Sequence, residues 1–159
     1  MKSEAEIQCA VDTYSDMVRR ICFVYLKNEA DCEDIFQDVY VKYATSTKRF
    51  EDAEHLKAWM IRVSINRCKD WLKRSAMKNR PLEEVYELPG ETKTREREIL
   101  TAVTRLPENY RTVVYLHYYE GYTAPEIGKL VHKKTNTVYT WLGRARDILR
   151  VELGGEADA

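Results

Sequence analysis

What this chain has little of narrows it first. Its 159 residues include only four cysteines, four prolines, six glycines and three histidines. Cys9, Cys22, Cys32 and Cys68 form no CxxC pair and have no histidine clustered with them, so no metal site is expected. Structural or free thiols in a reducing cytosol are the reading, with redox sensing as the alternative. His55, His117 and His132 are isolated, and no HExxH, nucleophile elbow or phosphate loop is present. That leaves no constellation for an enzyme and calls for no cofactor. There is no signal peptide and no long uncharged apolar run, so a cytoplasmic location without membrane insertion is expected. Strand patterns and internal repeats are missing too. The class is all-α.

Charge of one sign is also lacking, since 26 basic residues balance 26 acidic ones. The balance is global and not local. From Met1 to Glu54 acidic residues exceed basic ones by twelve to seven. From His55 to Arg80 the basic residues Lys57, Arg62, Arg67, Lys69, Lys73, Arg74, Lys78 and Arg80 face Asp70 alone. Such segregation suggests two partners of opposite charge, or one partner with two kinds of surface.

The stretch Thr123 to Arg150 reads as a helix-turn-helix. Thr123 and Glu126 have the spacing of a capping box, and Pro125 falls in the first turn, where a missing N–H costs little. Ile127, Leu130 and Val131 repeat at helical spacing. After His132-Lys133-Lys134 a second helix opens at Lys134 or Thr135, with Val138, Leu142, Ala145 and Leu149 as its buried stripe. Tyr139, Thr140, Gly143, Arg144, Arg146, Asp147 and Arg150 lie off that stripe. A polar, aromatic and basic outer face on such a helix suits the DNA major groove; the alternative is a helical hairpin with a solvated basic face.

Upstream, Ile7 to Lys27 reads as a helix with Ile7, Val11, Tyr14, Val18, Ile21, Cys22 and Tyr25 inward. Asn28 caps a second helix, about Glu29 to Thr45, which buries Ile35, Val39 and Tyr43. Asp31, Asp34 and Asp38 point another way, with Gln37 nearby. Thr45 to Ala53 is a loop. Glu54 to Arg74 is a third helix, apolar on two sides and therefore wedged between neighbours. Its third sector carries Arg62, Asn66, Lys69 and Lys73, with Trp59 at the border. Cations with one amide fit phosphate contact plus one base-reading group. Ser75 to about Thr94 reads as an acidic linker with one short helical turn. Helices over about Arg95 to Arg105 and from Pro107 to Gly121 lead into the helix-turn-helix, and Leu153 to Ala159 is a frayed tail.

The segment LPENYRTVVYLHYYEGYTAPEIGKLVHKKTNTVYTWLGRARDILR resembles the C-terminal domain of bacterial RNA polymerase sigma factors, most of all the extracytoplasmic-function group. NEADCEDIFQDVYVKY resembles that group's core-binding segment, and HLKAWMIRVSINRCKDWLKR its segment for the −10 element. The resemblance implies two small helical domains, a sigma-2 bundle over residues 1–75 and a sigma-4 helix-turn-helix domain over 95–159, joined by a linker over 76–94. In it Asp31, Glu33, Asp34, Gln37 and Asp38 match the helix that docks on a basic coiled coil of the polymerase. Trp59, Arg62, Asn66, Lys69 and Lys73 match the −10 surface, and Lys48 to His55 the loop that captures a flipped base. Lys134, Asn136, Thr137, Tyr139, Thr140 and Arg144 match the −35 readout positions. The sequence departs from the family pattern at Lys133, Lys134, Asn136, Tyr139 and Trp141.

The implied function is a dissociable initiation subunit, not an enzyme. It would bind core RNA polymerase, recognise a two-part promoter and assist melting at −10. An anti-sigma factor is the implied inhibitory partner. Two other readings stand beside it: a helix-turn-helix regulator that binds duplex DNA without polymerase, and a sigma-like adaptor that binds polymerase without reading promoters.

Overall fold

Two helices that meet at Asn28 begin the fold. The Asn28 side chain accepts a hydrogen bond from the Asp31 backbone N–H at 3.1 Å, satisfying one of the donors a helix start leaves open. The computed structural model describes residues 1–26, 28–77 and 94–154. Helix α1 spans Glu4–Leu26, α2 Glu29–Thr45, α3 Ala53–Met77, α4 Thr94–Thr104, α5 Glu108–Val114, α6 Ala124–Val131 and α7 Thr135–Glu152. A π-helical segment, Tyr115–Tyr119, continues α5. No strand occurs among the described residues. The expected linker with its helical turn falls mainly on residues 78–93, and the expected frayed tail on 155–159; both lie outside the described residues.

The chain divides into two compact units, Met1–Pro89 and Gly90–Ala159. In the first, α1, α2 and α3 pack on one another in all three pairings. Ile21, Cys22, Phe23, Val24, Tyr25 and Leu26 are all buried. Periodicity alone marks only Ile21, Cys22 and Tyr25 of these. The end of α1 is apolar on every side, which suits a helix enclosed by neighbours. Ile35 and Val39 of α2 and Met60, Ile61 and Ile65 of α3 are buried as well. Burial of side chains this size contributes about 1.5–3 kcal/mol each. The buried Ser64 hydroxyl donates to the Met60 carbonyl at 2.7 Å, so its polarity is satisfied within α3. Tyr14 ties α1 to the start of α3, its hydroxyl donating to the Ala53 carbonyl at 3.2 Å.

In the second unit α7 lies against α5 and α6. Its buried residues are Val138, Leu142, Ala145 and Leu149, the stripe expected from spacing. The capping box of α6 is formed: the Thr123 N–H donates to Glu126 Oε1 at 2.9 Å and the Glu126 N–H to Thr123 Oγ1 at 3.3 Å. His132 ends α6 in the left-handed region, at φ 58° and ψ 47°. The Lys133 N–H then donates to the Gly128 carbonyl at 2.9 Å. This is a left-handed helix stop of the kind that glycine or asparagine usually makes. The turn folds the chain back so tightly that a Cβ on Gly128 would stand 2.6 Å from the Lys133 carbonyl oxygen. Gly128 is thus the residue that permits the turn.

Where an uninterrupted helix was expected from Pro107 to Gly121, the last turn widens. The Glu120 N–H donates to the Tyr115 carbonyl at 3.2 Å, and the Tyr122 N–H to that of Leu116 at 3.0 Å. Tyr115 and Leu116 stay buried, the Tyr115 and Tyr119 rings stack at 5.5 Å, and Tyr118 turns outward at 44 % exposure. Single turns of this kind are often found at functional sites.

Candidate functional site

The outer surface of α2 carries the first candidate set. Asp34, Gln37 and Asp38 are exposed on successive turns and make no hydrogen bond or ion pair among the described residues. Asp31 does not join them: it is buried, at 9 % exposure, in the first turn of α2. Spacing puts it on the acidic face, but packing of the first unit buries it. Glu33 is committed as well, since it pairs with Arg19 of α1 at 2.7 Å while the Arg19 guanidinium lies 4.0 Å over the Phe36 ring. The free acidic strip is therefore Asp34, Gln37 and Asp38. Beside it α3 contributes Trp71, Arg74 and Ser75 to a shared cleft of ≈ 390 Å³.

The second set lies on α3. Asn66 and Lys73 are exposed; Arg62 and Lys69 are half-buried. The Arg62 Nε is buried and has no hydrogen-bond partner among the described residues. Trp59, expected at the border of this face, points inward at 8 % exposure. It packs with Tyr43 at 6.0 Å and edge-on with Phe50 at 5.5 Å. An indole buries more apolar area in such a cluster than at a helix border, which explains the inward turn.

Phe50 belongs to the loop between α2 and α3, and its other edge meets His55 at 5.2 Å. The loop borders a cleft of ≈ 680 Å³ lined by Lys2, Glu6, Tyr43, Arg49, Phe50 and Asp52, among others. The Lys2 ammonium sits 5.2 Å over Phe50 and donates to the Lys48 carbonyl. Glu6 is held below the usual carboxylate range by hydrogen bonds from Ser3, so it remains charged in that cleft. Aromatic edges with mixed charge suit a planar neutral group better than a bare phosphate.

The third set is on α7. Lys134, Asn136, Tyr139, Thr140 and Arg144 are exposed and Thr137 is half-buried. Lys134 occupies the N-cap without a side-chain bond, as its chemistry dictates. Thr140 Oγ1 donates back to the Asn136 carbonyl at 3.0 Å. The Lys133 ammonium lies 5.9 Å over Trp141, on the side of α7 away from Tyr139. Arg146 reaches the π-helical segment, its Nε 3.1 Å and its Nη2 2.5 Å from the Tyr118 hydroxyl oxygen, which accepts both. Sequence spacing puts Tyr118 with Leu116 to Tyr119 on the apolar surface of its helix, whereas it is 44 % exposed; Gly128 has only one signal in the sequence, a glycine inside an amphipathic helix.

No group of His, Cys, Asp and Glu able to hold a metal occurs among the described residues. Cys22, Cys32 and Cys68, one from each helix of the first unit, are buried, while Cys9 is exposed. The Cys32 thiol is pushed up by its hydrogen bond with Cys22 and by burial, which keeps it protonated and a poor nucleophile. Among the described residues no helix is long and apolar enough to cross a membrane.

Known proteins share this plan. The family model for sigma-70 region 2 matches residues 10–77, and that for sigma-70 region 4 matches residues 96–149. RNA polymerase sigma factor SigV of Bacillus subtilis is 28 % identical over 153 residues, covering 94 % of this chain and 92 % of that protein. The ECF sigma factor SigW of the same organism is 25 % identical over 161 residues, covering 90 % and 86 %. Among solved structures, the sigma factor RpoE, in complex with the anti-sigma factor NepR from Bartonella quintana, superposes with a TM-score of 0.80. That match has 19 % identity and covers 97 % of this chain and 99 % of that one. CnrH, in complex with the cytosolic domain of CnrY, superposes at 0.70 with 18 % identity, covering 98 % and 92 %.

Proposed function

The chain belongs to the sigma-70 family, in its extracytoplasmic-function group, and from that premise we propose how its faces divide the work of an alternative initiation factor. The factor binds core RNA polymerase and directs it to promoters that carry −35 and −10 elements. The exposed strip Asp34, Gln37 and Asp38 docks on a basic surface of the polymerase. The acidic groups need no folding partner, so their charge is available to another protein. On α3, Asn66 presents a donor and an acceptor to a base edge, and Arg62, Lys69 and Lys73 hold phosphates of the −10 strand. The aromatic-lined cleft beside Phe50 takes a flipped base, which offsets the few kcal/mol that unstacking costs. On α7, Asn136, Tyr139, Thr140 and Arg144 enter the −35 major groove, and Lys134 neutralises the flanking backbone.

The observation that carries this reading is the separation of charge by helix: Asp34 and Asp38 on α2, without partners among the described residues, and base and amide on α3 and α7. Regulation follows the same surfaces. RpoE was solved with the anti-sigma factor NepR bound and CnrH with the cytosolic domain of CnrY, and an anti-sigma factor that covers these faces would silence this chain. The deciding experiment is run-off transcription with core polymerase on a library of promoters. Sequence-selective transcripts that depend on the chain are expected. A chain that binds duplex DNA but is not retained by core polymerase in a pull-down would instead be a stand-alone helix-turn-helix regulator.

A further inference from the structure

Gly143 lies in the middle of α7 and nothing inside the protein requires it. A Cβ built there would meet no atom within 4 Å, and its φ is not in the left-handed region. A helix-interior glycine nonetheless destabilises relative to alanine. A glycine with open space above it and no conformational need suits the close approach of something external.

Its surroundings identify that something. Residues three and four apart share a helix face, so Tyr139, Gly143, Arg146 and Arg150 form one column along α7. Tyr139 is 59 % exposed at one end of the notch. At the other end Arg146 is held by two hydrogen bonds to the Tyr118 hydroxyl oxygen. That oxygen uses its lone pairs as acceptor, and no acceptor among the described residues takes its hydrogen. A hydroxyl that accepts from a cation becomes a stronger donor. Tyr118 and Arg146 thus present, side by side, a polarised O–H and the Nη1 of a pre-oriented guanidinium. Arg150 follows one turn on, shared with Asp147 at 3.9 Å. Two donors on a fixed cationic pair, beside a gap with no side chain, match an anionic oxygen on a chain that must come close.

We infer that Gly143, Tyr118 and Arg146 form a notch for the phosphate backbone of duplex DNA, flanking the bases that α7 reads. The inference rests on the reading that α7 faces the −35 duplex, and it adds a clamp from the π-helical segment to that helix. The widened turn turns Tyr118 outward, and so places its hydroxyl where Arg146 can reach it.

The test uses the full-length chain bound to core polymerase, and duplex DNA that the wild-type holoenzyme selects from a random library. Affinity is measured against salt. Gly143→Leu should fill the notch and lower affinity roughly tenfold or more without lowering the melting temperature. Tyr118→Phe should lose several-fold, because the ring stays and only the donor goes. Arg146→Gln should lower the salt slope by about 0.9, the release of one phosphate contact. Arg144→Gln serves as the control on the underlying reading. Wild-type affinity in Gly143→Leu and Tyr118→Phe, with a clear loss in Arg144→Gln, overturns the notch and leaves the groove assignment standing. No loss in any of the four overturns the groove assignment and the notch together. If Gly143→Leu proves less stable, Tyr118→Phe and the slope of Arg146→Gln decide.

Discussion

Gly128→Ala and Gly143→Ala make the same chemical change in adjacent helices and should have opposite effects. At Gly128 the added Cβ stands 2.6 Å from the Lys133 carbonyl oxygen, with the Lys133 carbonyl carbon and the Thr135 nitrogen each at 3.7 Å. Carbon and carbonyl oxygen approach no closer than about 3.3 Å even in favourable contacts, so roughly 0.7 Å must be found. The obstacle is backbone, pinned by the Lys133 N–H bond to the Gly128 carbonyl at 2.9 Å and by the left-handed His132. Overpacking of this kind costs about 1–3 kcal/mol, and loss of the pinned hydrogen bond would add about 1 kcal/mol. Alanine returns about 1 kcal/mol of helix propensity. The net destabilisation of the second unit is about 1–3 kcal/mol. At about 4–8 °C per kcal/mol for a domain of this size, the melting temperature should fall by about 4–24 °C. At Gly143 nothing opposes the propensity gain, so Gly143→Ala should hold or raise it by a few degrees. Scanning calorimetry reads the temperatures, and hydrogen exchange at the Lys133 amide reads the turn itself. A Gly128→Ala variant as stable as wild type, with that amide still protected, would refute the argument that the close approach dictates glycine.

Reversing Asp34 and Asp38 to Lys should weaken binding to core polymerase and leave helicity intact, most visibly at low salt where screening is least; unchanged affinity there removes them from the interface. Asn66→Ala should lose about 1–3 kcal/mol of discrimination at one −10 position, whereas Lys73→Ala should weaken all −10 sequences alike and reduce the salt slope by about 0.7. Open-complex formation on templates varied one position at a time separates the two, and a uniform loss in Asn66→Ala counts against base reading. Thr123→Ala should destabilise the second unit by about 1 kcal/mol through loss of the N-cap. The backbone and side-chain hydrogen bonds of Thr123 hold Glu126 below the ordinary carboxylate range. Its contribution is therefore present at neutral pH and is lost as pH falls through that depressed pKa. Acid titration of stability should be less steep in Glu126→Gln, which removes the titrating carboxylate, and an identical acid limb in that variant and wild type argues against the capping box as its cause.

Much of this molecule is legible in local pattern. The buried stripe Val138, Leu142, Ala145 and Leu149 follows from a 3.6-residue period that one face of one helix imposes. Asn28 and Thr123 cap their helices because a side-chain oxygen at that spot can reach only the open donors a few residues on. The bounds of α2, and the turn that separates α6 from α7, come from the same short-range rules. What those rules miss involves two elements at once. Asp31 and Trp59 have outward or bordering positions on their own helices, yet both are buried, Trp59 within the Tyr43–Phe50 cluster. The π-helical turn is hidden because Leu116, His117, Tyr118 and Tyr119 are all bulky, so a shift of phase leaves no mark in the pattern. Tyr118 meets Arg146 across 28 residues of sequence, and Gly128 is required by a carbonyl that arrives only once the chain has turned back. Sequence by itself determined the helices, their inward faces and the segregation of their charge, since these depend on neighbours within a turn or two. Tertiary structure decided which of the outward groups remain outward, because only packing brings a second backbone close enough to cover, pair or exclude them.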